Sequence, residues 1–119
     1  MKNGNLTQFL DTGWYTEAVL YFDGHLYWCE GATDFETGIT TFFVDSWKAE
    51  CDGKNYHQYQ NESGKLIDCK RVLEITGDDH DRIKQQFLTA PVFDGKTFWQ
   101  VEKDLIWVEE GSPIQIKEV

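Results

Sequence analysis

The chain has 119 residues and a mass of 13.9 kDa, enough for one domain and too little for a second core. A hydrophobic content of 40%, an aromatic content of 15% and two prolines exclude a disordered or fibrous chain. A net charge of −10, from 11 Lys and Arg against 21 Asp and Glu, argues against nucleic acid or an anionic membrane as a direct partner. The acidity is spread along the body, with 9 acidic and 3 basic residues in 1–60 and 12 and 8 in 61–119. It therefore acts as a long-range attractor of cations or basic proteins, not as a disordered tail.

Cys29, Cys51 and Cys69 are an odd number with no CxxC pair, which fits a reducing compartment better than a disulfide scaffold. Met1 to Asp11 carries one Lys and no apolar stretch, unlike a secretory leader. The longest wholly apolar run, Ala18 to Phe22, is far short of the ~20 residues of a membrane span. The expectation is a cytoplasmic protein folded as one domain over 1–119, with a loose polar segment at 1–12.

The first clear element is Trp14 to Phe22, followed by Asp23-Gly24 and by His25 to Glu30. β-branched and aromatic residues on either side of a two-residue Asp-Gly loop predict a tight hairpin, Gly24 supplying the positive φ of a type I′ turn. That turn sets Phe22 against His25, Leu20 against Tyr27 and Ala18 against Cys29 on one face. Tyr21/Leu26, Val19/Trp28 and Glu17/Glu30 share the other. Both faces are largely apolar, so the hairpin should be central and covered on each side. Two glutamates directly opposite each other would place its open end at the surface.

Asp34 to Gly38 reads as a turn into a third strand, Ile39 to Lys48, and Glu50-Cys51-Asp52-Gly53 as a second turn. Asn55 to Gln60, polar except for Tyr56 and Tyr59, reads as an edge strand. A turn at Asn61–Gly64 then leads to a strand over Leu66 to Ile75. Thr76 to Asp81 supplies an Asx N-cap with carboxylates in the first helical turn, Ile83, Phe87 and Leu88 form the apolar stripe, and Pro91 ends the helix. After a turn at Asp94-Gly95, Thr97 to Asp104 fits a helix through Phe98, Val101 and Leu105 and a strand through Thr97, Trp99 and Val101. The expectation is a short helix, then a strand from Leu105 to Glu109, with Pro113 to Ile116 extended. The sum is α+β: a mostly antiparallel sheet of five or more strands with one or two helices packed on one face.

Residues able to carry chemistry are scattered. His25 flanks the Asp-Gly turn, His57 lies in the polar strand and His80 lies between Asp79 and Asp81 at a helix start, so no acid/base pair is spelled out. Cys51 and His57 are six apart without further ligands at tight spacing, and Asp78, Asp79 and Asp81 lack the Gly and closing Glu of a calcium loop. Helix capping accounts for that cluster, and neither a metal nor a cofactor is expected. GxSxG, P-loop and GxGxxG motifs do not occur. What remains is a surface. Asp34 and Glu36 flank Phe35, Glu50 and Asp52 flank Cys51 near Asp45, and Tyr56 and Tyr59 follow. Carboxylates in turns with neighbouring tyrosines suit capture of a basic protein surface, the acids steering and the aromatics anchoring.

The segment Leu88-Thr89-Ala90-Pro91-Val92-Phe93-Asp94-Gly95-Lys96-Thr97-Phe98-Trp99-Gln100-Val101-Glu102 is similar in style to small immunity proteins of bacterial polymorphic-toxin and contact-dependent growth inhibition loci. The similarity covers about a fifth of the chain and involves no diagnostic motif. It implies an antitoxin without catalytic residues that captures a toxin, often a basic nuclease, and occludes its active site. Two other readings stand beside it. One is a phage-encoded inhibitor of a host defence nuclease. The other is a small ligand-binding or enzymatic α+β domain with a pocket lined by Trp14, Trp28, Trp47 and Tyr27.

Overall fold

The computed structural model describes residues 1–52, 55–108 and 114–118. In chain order the elements are α1 (Leu6–Asp11), a 3-10 turn (Gly13–Tyr15), β1 (Ala18–Phe22), β2 (His25–Thr33), β3 (Thr40–Asp52), β4 (Asn55–Gln60) and β5 (Lys70–Gly77). There follow α2 (His80–Thr89), α3 (Phe98–Val101), a 3-10 turn (Glu102–Asp104), β6 (Ile106–Val108) and β7 (Ile114–Glu118). The fold is α+β, a curled and largely antiparallel sheet in the order β6-β1-β2-β3-β4-β7, with β5 also paired to β3.

The β1–β2 hairpin has the register expected from its turn, from Ala18/Cys29 to Phe22/His25. Asp23 and Gly24 both have positive φ, as a type I′ turn requires. Its two faces serve two cores. Ala18, Leu20, Tyr27 and Cys29 join Phe42 and Val44 of β3 beneath Phe9, Ile83, Phe87, Leu88 and Phe98 of the helices. Val19 and Leu26 join Trp47, Ala49, Tyr56 and Val108 in a smaller cluster on the opposite face, enclosed by the curl of the sheet. The like-charge juxtaposition expected of Glu17 and Glu30 does not form: Glu17 lies outside β1 with a φ of 55°, and Glu30 pairs with Phe43 on β3.

β3 organises the rest. Along one edge it pairs with β2 from Thr40 to Lys48. Along the other it pairs first with β5, from Thr40 to Ser46, and then with β4, from Ala49 to Asp52. Glu50, Cys51 and Asp52, expected in a turn, are therefore strand residues; Gly53 lies outside the described residues. β4 is not an edge strand, because β7 pairs with it in parallel on its far side. The strand expected from Leu66 starts only at Lys70. Ile67 instead bridges the gap between neighbours, donating to Tyr59 O and accepting from Lys48 N.

α2 is capped as the sequence indicates, Asp79 accepting from the Arg82 amide at 3.2 Å, and ends at Ala90 just before Pro91. The N-terminal segment departs from expectation. Asn5 caps α1, and Phe9 is fully buried, stacked on Phe98 at 5.5 Å and edge-on to Trp107 at 5.4 Å. The Asn3 amide donates to Trp107 O at 2.9 Å and accepts from Trp107 N at 2.8 Å, while Lys2 N donates to Leu105 O. One polar side chain thus occupies the hydrogen-bonding groups of edge strand β6, a standard way of blunting an edge. Polarity suggested looseness, but the polar groups bind backbone and one aromatic side chain anchors the segment.

Replacing Phe9 with Ala is expected to destabilise the fold by about 3–5 kcal/mol, as for other buried phenylalanines, read from urea denaturation; a loose segment would give almost no change. A second expectation concerns alkali. Burial pushes the Cys29 thiol up from its ordinary value of 9.0 and the Tyr27 and Tyr56 phenols up from 10.0. The folded chain holds these protons where the unfolded chain releases them, so their contribution is complete below the unfolded values and is lost as pH rises above about 9. The urea midpoint should therefore fall between about pH 8 and pH 10.5, and Cys29→Ala should remove the earliest part of that fall.

Candidate functional site

The β2–β3 hairpin ends in the rung Thr33/Thr40, and the loop beyond it is closed by its own backbone. Asp34 N donates to Ile39 O at 2.9 Å and Gly38 N to Asp34 O at 2.7 Å. The Asp34 carboxylate turns inward to accept from Glu36 N at 2.9 Å, an Asx turn. Gly38 takes a φ of +71° that a side chain would resist. Held this way, the loop projects Phe35 into solvent, 99% exposed, with Ile39 at 37% behind it. A shallow depression of about 600 Å³ lies alongside, lined by Ala32, Thr33, Asp34, Thr37, Ile39 and Thr41.

Beneath the loop runs a chain of hydrogen bonds that no local sequence pattern indicates. The Tyr15 hydroxyl meets Thr33 Oγ1 at 2.7 Å, Thr33 meets Thr40 Oγ1 at 2.7 Å, and Thr40 meets His80 Nε2 at 2.9 Å. The His80 ring also packs on Tyr15, with centroids 4.7 Å apart. Tyr15 can reach Thr33 because position 31 is glycine: a Cβ there would stand 2.4 Å from the Tyr15 ring. A hydroxyl bonded to an imidazole has the form of a nucleophile and its base. Thr40 is only 1% exposed, however, and a substrate has no approach to it. The arrangement forms a clamp that ties the base of the hairpin to α2 and to the turn before β1.

The seven residues expected to meet a partner do not form one patch. Asp34 and Glu36 share the hairpin tip with Phe35. Glu50 lies ten residues along β3 from Thr40, about 33 Å at the usual strand rise, where it accepts a hydrogen bond from the Tyr59 hydroxyl. Lys48 lies 4.8 Å from the Tyr59 ring centroid at that same end. Tyr56 is buried in the smaller core. Asp45 is engaged by Arg71, at 2.9 Å from Nε and 3.3 Å from Nη2. Asp52 ends β3, with its side chain outside the described residues. The signal that singles out the tip, and that charge alone could not, is the complete exposure of an aromatic ring.

The remaining candidates separate as well. Trp14 and Tyr27 pack in the larger core, while Trp47, with Trp28 against it, packs in the smaller core on the other face, so the four do not line a common pocket. Cys51 and His57 occupy successive rungs and opposite faces of the β3–β4 pair. His25 Nε2 lies 3.7 Å from Asp68 Oδ2. Among the described residues, no group of three or more His, Cys, Asp or Glu is placed to hold a metal ion.

Thr40→Val should leave Thr33 and His80 without their shared partner and cost about 1–3 kcal/mol, with faster hydrogen exchange at the Asp34 and Gly38 amides. Gly31→Ala should produce the same loosening by displacing Tyr15. Unchanged exchange in both variants would show that the loop does not depend on the clamp. Family models, curated proteins and solved structures were compared with the chain, and none of them matches it.

Proposed function

We propose that this protein is a non-catalytic inhibitor of the immunity-protein kind, which captures a basic protein effector and blocks its active site. The observation that carries the reading is Phe35, wholly exposed between Asp34 and Glu36 on a loop closed by its own hydrogen bonds. An exposed aromatic on a pre-shaped loop loses little entropy on docking and gains a desolvated anchor. The charge of −10 adds long-range steering toward a positive cleft, the kind of cleft that a nuclease uses for phosphates. The similarity of Leu88 to Glu102 to immunity proteins points the same way.

The test is co-expression of the chain with each gene adjacent to its own. One neighbour is expected to encode a basic product that arrests growth alone and is neutralised through a 1:1 complex. With that partner, Asp34→Lys combined with Glu36→Lys should slow association about tenfold at low salt and flatten its salt dependence. Phe35→Ala should cost about 2 kcal/mol, mostly in dissociation. Glu50→Lys, at the far end of β3, should leave dissociation unchanged. Equal effects at both ends would move the interface away from the tip. Turnover of a small substrate that disappears on replacing His80 would overturn the inhibitor reading altogether.

A further inference from the structure

The helices pack against the even-numbered side chains of β3 in its first half, Phe42 and Val44. The odd-numbered ones, Thr41, Phe43 and Asp45, point the other way and are each left partly exposed. Two neighbouring rungs cross this open face. One runs Glu30–Phe43–Glu74 and the next Trp28–Asp45–Arg71. The β3–β5 register shifts between Val44 and Asp45, so that Arg71 stands opposite Asp45. Bulges of this kind re-aim side chains.

The outcome is a seat shaped for a guanidinium group. Arg71 Cζ lies 4.2 Å above the centroid of the Phe43 ring. Asp45 takes Nε and Nη2 side-on, and Glu74 takes Nη1 at 3.1 Å. Glu30, hydrogen-bonded by Trp28 Nε1 at 3.2 Å, flanks the same ring on β2. An aromatic floor with a two-pronged and an end-on carboxylate matches the planar fork of arginine and not the point charge of lysine. The pair is solvent-exposed, and exposed ion pairs are held only weakly. Two carboxylates on one cation also leave the seat negative. Its resident side chain is therefore easily exchanged for a similar one brought from outside.

We infer that Phe43, Asp45 and Glu74 form an arginine-recognition site, kept shaped in the free protein by Arg71 and taken over on docking by an arginine of the basic partner. The inference rests on the inhibitor reading above for the identity of that partner. The site lies three rungs from the Thr33/Thr40 rung that carries the tip, about 10 Å along the strand. Seat and Phe35 therefore belong to one interface, the ring of Phe35 as anchor and the seat as a filter for arginine.

The experiment titrates the full chain with hexa-arginine and hexa-lysine peptides at low salt by calorimetry. Arg71→Ala should bind hexa-arginine about tenfold more tightly than the unaltered chain, with no comparable gain for hexa-lysine. The gain should vanish when Phe43→Leu is added, urea midpoints establishing that each variant is folded. An equal gain for both peptides, or none for hexa-arginine, would overturn the site. In the unaltered chain the Arg71 Nε–H resonance should move toward that of a free arginine as hexa-arginine is added; a resonance that stays in place overturns the exchange without recourse to any variant. If the peptides discriminate as stated while no neighbouring gene product is neutralised, the inhibitor reading fails and the seat stands. Neutralisation with indifferent peptides gives the reverse.

Discussion

The architecture depends on how β3 is covered along its length. A strand alternates its side chains strictly between two faces, so a thirteen-residue strand offers two long rows that both need an environment. Phe42 and Val44 find theirs under the helices, while Trp47 and Ala49, on the other row, find theirs inside the curl formed with β1, β4 and β6. The alternation never breaks; what changes halfway is which side is covered. Two cores on opposite faces of one sheet are the result.

That change of side has a surface consequence. Where the helices cover one row, the opposite row is bare, and there Phe43, Asp45 and Arg71 meet with Glu30 and Glu74. Where the curl covers its row, Lys48 and Glu50 are the exposed pair, with Tyr59 drawn over to both. The acidic residues of β3 therefore face different surroundings at its two ends. The end bearing the hairpin loop combines charge with a fully exposed aromatic ring, and the proposed docking surface rests on that combination.

Rigidity near that surface comes from small residues and hydroxyls. Gly31 admits the Tyr15 ring, Tyr15 reaches Thr33, and Thr40 passes the connection to His80 on α2. A loop tied in this way presents Phe35 already ordered, which would lower the entropic cost of the proposed docking. His80 would draw attention in any search for catalysis, yet its hydroxyl partner Thr40 is sealed in the interior.

Local chemistry was legible in the amino-acid sequence wherever one short segment decides the outcome. The Asp23-Gly24 turn, the hairpin register, the Asp79 cap and the stop at Pro91 all depend on residues within a few positions of one another. The acidic loop around Phe35 was visible for the same reason. Tertiary structure alone decided the rest: the docking of Phe9 and Asn3, the insertion of β7 beside β4, the four-part hydrogen-bonded clamp, and the pairing of Arg71 with Asp45 through a shifted register. Apart from the step between Thr33 and Thr40 within the hairpin, each of these joins segments 18 to 104 residues apart, and the pattern of either segment carries no mark of its partner. The acids split between the two ends of β3 for a related reason: charge clusters mark surfaces, but the length and curl of the strand between them determine whether two clusters meet.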